Sequence, residues 1–131
     1  MEDLFIKGDT KLPTFHFKYG EGLMEIRGRS WPEHALNIYK PAFDWAEEYL
    51  KSPKEDTQIK IALEYFNTIS SKVIVQLLKL FEPTYQNGMK INVSWMYEED
   101  DVDLKEEGQT IKESVNLPVE LVTVEEFESI D

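Results

Sequence analysis

Three hydroxyl side chains and one amide crowd the stretch EYFNTISSKVIVQLL, which runs from residue 64 to residue 78. An alternating apolar pattern typical of a strand ends just before this polar group, and a pattern typical of a helix follows it. The polar group comprises Asn67, Thr68, Ser70 and Ser71, with Lys72 directly after it. A hydroxyl at a helix N-cap accepts hydrogen bonds from free backbone N–H groups and contributes about 1 kcal/mol. Thr68 or Ser70 is therefore a candidate cap.

The same junction suits a covalently attached phosphate. A helix N-terminus carries partial positive charge and unpaired N–H groups, so it tolerates an added anion. A phosphate brings roughly −1.5 to −2 charges at neutral pH and can reorganise whatever docks against it. Thr68 lies on a short turn after a strand, where a kinase can reach it, and Lys72 is one turn away to pair with the phosphate. The residues alone leave the cap and the modification site both open.

A second polar stretch, RGRSWPEHALNIY, begins at Arg27. Arg27 and Arg29 stand out in an acidic chain and predict a small anion-binding or partner-binding corner. Ser30 and Glu33 have the spacing of a capping box, which predicts that Ser30 caps the following helix. Trp31, beside this cap, is expected to be partly exposed, and both Ser30 and Trp31 are candidates for the same anion or partner contact.

The sequence lacks the residues that disulfides, metal sites and known catalytic motifs require. The chain has no cysteine, which removes disulfides and thiolate metal sites, and its two histidines lack metal-ligand spacing. The acidic run 98–103 lacks the glycine of a calcium loop and is interpreted as a solvated loop, with an acidic docking surface as the alternative. No catalytic motif or nucleophile–base pair is recognisable. We therefore expect no catalytic residue, metal or cofactor, although an enzyme with a serine or threonine nucleophile remains an alternative that requires a base near Thr68.

The size and the charge of the chain limit the kinds of partner that it can bind. The 131 residues fit one domain, 1–131, and 41% hydrophobic residues supply a core. A net charge of −12 opposes binding to nucleic acid and to anionic membrane surfaces, because both require clustered cations. The N-terminus has no signal-peptide pattern, and no stretch approaches the roughly 20 apolar residues of a membrane span. We expect a cytoplasmic protein without membrane insertion whose partners are proteins.

Strand and helix patterns alternate along the chain. Strands are predicted at 4–6, in a hairpin over 13–28, and at 56–67, 89–97 and 119–122; helices are predicted after Ser30, at 70–81 and at 109–115. Pro41 predicts a kink, or two abutting pieces, in the first helix. The strands alternate cleanly, so the helices should cover one face of the sheet only. The expected fold is a single-domain α/β mixed sheet with helices mainly on one face, similar to STAS or anti-sigma-antagonist domains.

Three segments together carry a family resemblance. They are MEDLFI, IRGRSWPEHALNIYKPAFDWAEEYL and LEYFNTISSKVIVQLLKLFE, and with the strands between and after them they cover nearly the whole chain. In these segments the chain resembles the SiaC family of bacterial regulatory phosphoproteins. The resemblance implies a switch that a protein kinase phosphorylates on one threonine and a PP2C-type phosphatase restores. It also implies that the unphosphorylated form binds and activates a diguanylate cyclase, and so controls cyclic-di-GMP and biofilm formation.

The resemblance also assigns the modified residue. The phosphoacceptor of the family lies in an Asn-Thr motif at the strand–helix junction, which here is Thr68 after Asn67. This sequence continues with Ile69, where the family more often has a small hydroxyl residue. The alternative function is that of an anti-sigma-factor antagonist in a partner-switching circuit.

Overall fold

The computed structural model describes residues 1–127, which form one mixed sheet with helices between its parallel strands. The strands are β1 (Leu4–Ile6), β2 (Thr14–Lys18), β3 (Leu23–Ser30), β4 (Asp56–Phe66), β5 (Lys90–Glu98) and β6 (Val119–Val124). The helices are α1 (Ala35–Tyr49), α2 (Thr68–Lys79), α3 (Glu82–Gln86) and α4 (Val102–Ser114). None of these helices is long and apolar enough to cross a membrane.

The order of strands in the sheet follows their order in the chain, from β1 to β6. The first three strands pair antiparallel, and β3, β4, β5 and β6 pair parallel. Each parallel pair is joined through a helical connection, because a chain must cross back over the sheet to start a parallel neighbour. The predicted mixed α/β sheet is confirmed.

The core lies on one face of the sheet, as the alternation predicted. Phe15 and Phe17 of β2 pack edge-on against Tyr39 and Trp45 of α1, with ring centroids 5.1 and 5.2 Å apart. Further along the sheet, the Trp95 indole of β5 donates a hydrogen bond of 3.0 Å to a backbone carbonyl of α4. The opposite face of the sheet carries charged and polar side chains from β3, β4 and β5. We refer to it below as the open face.

The helix starts differ from the predictions. Helix α1 begins at Ala35 and continues through Pro41 as one helix, so the expectation of two abutting pieces is wrong. Ser30 is the last residue of β3 and does not cap α1; four residues separate it from the helix. Helix α2 begins at Thr68, and its cap is Asn67 rather than Thr68 or Ser70.

Helix α4 also starts earlier than predicted. Its first residue is Val102, inside the acidic run that was interpreted as a solvated loop. The carboxylate of Asp101 explains this start, because it accepts a hydrogen bond of 3.0 Å from the Leu104 backbone N–H. An acidic residue at a helix N-terminus acts as a cap and also interacts favourably with the helix dipole.

Candidate functional site

The candidate site lies at the edge of the sheet where β3 and β4 end and α2 begins. The side chain of Asn67 organises this edge through both of its polar atoms. Its Oδ1 accepts a hydrogen bond of 2.9 Å from the Ser70 backbone N–H, and its Nδ2 donates one of 3.1 Å to the Pro32 carbonyl. Its backbone N–H donates a further bond of 3.0 Å to the Ser30 carbonyl. Asn67 therefore joins the start of α2 to the chain leaving β3.

Beneath this junction lies a chain of buried hydroxyl groups. The Ser30 hydroxyl donates to Ser70 Oγ at 2.8 Å, and the Ser70 hydroxyl donates to the Ser30 carbonyl at 3.2 Å. Since the Ser30 proton is used in this way, the Tyr39 hydroxyl is the donor in its 2.8 Å bond to Ser30 Oγ. Burial raises the pKa of Tyr39, which keeps it a neutral donor. All three residues are fully buried, so Ser30 and Ser70 hold the structure together and are not presented to a partner.

Thr68 lies in a different environment. It is the first residue of α2 and is exposed, whereas Ser71 is half-buried and Lys72 is exposed. The first turn of α2 contains no acidic residue that would repel an added anion. Of the hydroxyls predicted at this junction, Thr68 is therefore the one most open to an enzyme from solution.

The two arginines of β3 lie on the open face, and each is paired with a carboxylate. Arg27 contacts Glu25 at 3.2 Å, and Arg29 contacts Glu64 at 3.4 Å, in partly exposed pairs of small energetic value. Arg27 lines one groove with a volume of about 320 Å³, and Arg29 lines another, of about 520 Å³, together with Trp31. The structure thus brings Arg29 and Trp31 together and places Arg27 in a separate groove.

Two aromatic side chains are exposed at this edge. Trp31 is 46% exposed and Tyr65 is 54% exposed, and their ring centroids lie 4.8 Å apart with the planes tilted by 41°. The exposure of Trp31 agrees with the prediction. An unbroken alternation along β4 would place Tyr65 on the core face with Ile61 and Leu63, but Tyr65 lies on the open face.

A β-bulge explains the position of Tyr65. Gly28 pairs with Leu63, but the next residue, Arg29, pairs with Tyr65, so β4 contains one additional residue, Glu64. Because side chains alternate along a strand, the added residue turns Tyr65 to the open face. Gly28 has a φ of +100°, a conformation that favours glycine. A glycine within a strand pattern was the sequence signal that could have indicated this bulge.

A metal site is not formed by the part of the chain that the structure describes, because no group of three or more metal-ligating side chains comes together there. The buried hydroxyl chain likewise contains only alcohol and phenol groups, and its one titratable member, Tyr39, has a raised pKa. A phenol that holds its proton so firmly is a poor general base at neutral pH. The buried hydroxyl chain therefore does not provide the base that a threonine nucleophile would require.

Comparison with known proteins identifies the family. The family model described as SiaC family regulatory phosphoprotein matches residues 6–124, and the chain belongs to the SiaC family. The resemblance inferred from the sequence is thus confirmed. Apo-SiaC from Pseudomonas aeruginosa has a similar structure, with a TM-score of 0.85 and 26% identity over 94% of this chain and 100% of that one.

Two further matches agree with this assignment. A chain from the crystal structure of the diguanylate cyclase SiaD in complex with its activator SiaC, from the same species, matches with a TM-score of 0.87. It is 24% identical and covers 93% of this chain and 100% of that chain, a likeness that establishes the fold. An uncharacterised protein of Pseudomonas aeruginosa strain UCBPP-PA14 is 26% identical over 118 residues, 90% of this chain and 94% of the relative.

Proposed function

We propose that this protein is a non-enzymatic activator of a diguanylate cyclase and that phosphorylation of Thr68 switches it off. The observation that carries the proposal is the contrast between two hydroxyls in the first turn of α2. Thr68 is exposed, whereas Ser70 is fully buried and is engaged with Ser30. A kinase acting on this folded junction would find Thr68 accessible and Ser70 closed to it.

The comparisons support the partner and the type of control. The family consists of regulatory phosphoproteins, and SiaC of Pseudomonas aeruginosa is the activator in a complex with the cyclase SiaD. Reversible control requires a protein kinase and a phosphatase, which the family resemblance assigns to the PP2C type. All of these enzymes use cytoplasmic nucleotides or act on cytoplasmic substrates, and we place this protein in the cytoplasm with them.

The chemistry of phosphate explains the direction of the switch. Unmodified Thr68 adjoins exposed Ile69, and Asn67 holds it beside the chain segment that carries Trp31. A partner that covers this surface removes its water. A phosphate in that position is strongly hydrated, and its desolvation costs several kcal/mol unless the partner supplies a cation. Phosphorylation should therefore release the cyclase.

Two substitutions test the switch. Thr68→Glu should weaken binding of the cyclase, and Thr68→Ala should bind it while escaping the kinase. Binding is measured by titration calorimetry with the purified cyclase, and phosphorylation by intact mass and peptide mapping. Ser71→Ala is the matched control, because it removes a half-buried hydroxyl three residues away and should leave both properties unchanged.

Other results would change the assignment. Equal affinity of the cyclase for wild type and for Thr68→Glu would contradict the proposed switch. A single phosphate mapped to Ser71 would keep the switch but move its site. Recovery of an anti-sigma kinase without any cyclase in a pull-down would favour the partner-switching circuit that controls a sigma factor.

A further inference from the structure

The groove beside Trp31 has features that the phosphorylation switch does not use. Its volume is about 520 Å³, and we call it the aromatic groove; its lining residues are Thr10, Lys11, Arg29, Trp31, Glu64, Tyr65, Glu98 and Asp101. It lies on the open face, where β4 and β5 end and α4 begins. Thr68 is not among its lining residues, so substitutions in the groove leave the phosphoacceptor itself unchanged.

The two aromatic rings form one wall of the aromatic groove. Trp31 and Tyr65 are each about half exposed, and their rings contact each other at a centroid distance of 4.8 Å, so part of each ring remains open to solvent. Tryptophan and tyrosine are the residue types most enriched among those that dominate binding energy at interfaces. Ring faces also attract cations, because the π-electrons make them electronegative. The exposed parts of the two rings are thus suited to an apolar or a cationic side chain.

The carboxylates around the groove favour a cationic side chain over an apolar one. The segment from the last residue of β5 to Asp103, in the first turn of α4, supplies five acidic residues and no cation: Glu98, Glu99, Asp100, Asp101 and Asp103. Two of these carboxylates are held in place at the groove. Glu98 accepts a hydrogen bond of 3.2 Å from the Phe127 backbone N–H, and Asp101 caps α4. Of the lining cations, Arg29 is already paired with Glu64 at 3.4 Å, which leaves Lys11 against Glu98 and Asp101.

We propose that the aromatic groove binds an arginine side chain from a basic segment of the partner protein. A guanidinium is planar, so it stacks on an aromatic ring and still directs its N–H groups to carboxylates. A lysine ammonium lacks this plane and is more strongly hydrated, which makes it the weaker ligand. The identity of the partner as the cyclase rests on the proposed function; the preference for arginine rests on the groove alone.

The preference is tested with the full chain and a short peptide of alternating leucine and arginine. The matched peptide carries citrulline, which keeps the shape of arginine without its charge. Binding is followed through the indole N–H signals in a ¹H–¹⁵N correlation spectrum. Trp31 is 46% exposed, whereas Trp45 and Trp95 are 8% and 1% exposed, so the Trp31 signal should respond selectively. Saturable movement of that signal by the arginine peptide alone supports the proposal, and an equal response to citrulline, or none to either peptide, overturns it.

Isosteric variants then separate the groove from the phosphorylation switch. Glu98→Gln combined with Asp101→Asn retains the hydrogen-bond acceptors and removes two charges, and it should weaken binding of the arginine peptide about tenfold. Glu47→Gln combined with Glu113→Gln removes two exposed charges elsewhere and is the control. With the cyclase, the groove variant and Thr68→Glu should both lose affinity. Loss with Thr68→Glu alone would overturn the groove as the cyclase contact while leaving the proposed function standing.

Discussion

At the scale of the residue, Asn67 determines what the candidate site presents. Its side chain caps α2 and binds the carbonyl of Pro32, and its backbone N–H binds the carbonyl of Ser30. Serine or threonine could provide the cap, but the amide accepts and donates through two separate atoms, so it reaches two groups that a single hydroxyl oxygen would have to contact together. The exposed residues on either side, Trp31 and Thr68, are consequently held in a fixed relation. A partner would meet them as a single surface.

Tyr39 gives the protein a specific sensitivity to alkaline pH. Burial raises its pKa above the ordinary value of 10.0, so the folded state retains the phenol proton after the unfolded chain has lost it. The stabilisation is fully present below pH 10 and decreases as the pH rises above that value, by about 1.4 kcal/mol per pH unit at most. Urea unfolding at increasing pH should show this slope for wild type and a shallower one for Tyr39→Phe. Tyr85→Phe, at an exposed position, should keep the wild-type slope; identical slopes for all three proteins would contradict the argument.

At the scale of the element, α4 approaches the sheet closely because of one glycine. A Cβ atom at Gly108 would collide with the indole ring of Trp95 and would also lie within 2.8 Å of Leu121. The helix therefore rests directly on β5 and β6 through a residue with no side chain. Its second half begins at this contact, and its first turn carries the acidic side chains of the aromatic groove.

This close contact predicts that adding even a methyl group at residue 108 destabilises the folded protein. Gly108→Ala should lower the free energy of unfolding by about 1–3 kcal/mol, because overpacking outweighs the gain in helix propensity. Gly20→Ala is the control, since a methyl group there meets nothing within 4 Å. Urea unfolding followed by circular dichroism measures both. A Gly108→Ala protein as stable as wild type would show that α4 can move away from Trp95 without loss.

The elements also show what the sequence could predict. Apolar alternation located each strand, and the clean alternation predicted the single covered face, because a side-chain period of two is a direct consequence of strand geometry. Helix starts were less certain because several polar residues compete for each cap. The residue that caps α2 is Asn67, and neither Thr68 nor Ser70 does so. Asp101 caps α4, which therefore starts within a run that was too acidic to be recognised as helical.

The site itself was only partly predictable. The polar junction that contains Thr68 could be located because it depends on local chain order, namely a strand followed directly by a helix, and the family resemblance then selected Thr68 as the predicted phosphoacceptor. The aromatic groove could not, because its walls come from residues that are distant in the chain and meet only through the register of the sheet. Tyr65 illustrates the difficulty: one additional residue at a bulge reversed the face on which it lies. A shift of this kind leaves the apolar pattern of the sequence almost unchanged.

At the scale of the whole molecule, charge governs stability as well as binding. The net charge of −12 makes the folded state repel itself, and dissolved ions screen that repulsion within a Debye length of about 10 Å at 0.1 M salt. Added sodium chloride should therefore raise the urea concentration at the midpoint of unfolding. Wild type is compared with the protein that carries Glu47→Gln and Glu113→Gln. The midpoint of this less charged variant should rise less with salt. A midpoint that falls with salt in wild type would mean that attractive ion pairs outweigh the repulsion.

The order of the strands has a consequence for how the protein is made. Every strand from β2 onward lies beside the strand that immediately precedes it in the chain. During synthesis on the ribosome, each newly emerged strand can add to one growing edge, and no completed pair has to open to admit a later strand. Unpaired backbone at that edge is the main hazard of a nascent sheet, because it can pair with other chains. In this protein each of the strands β1 to β5 exposes that edge only until the next strand has emerged and paired with it.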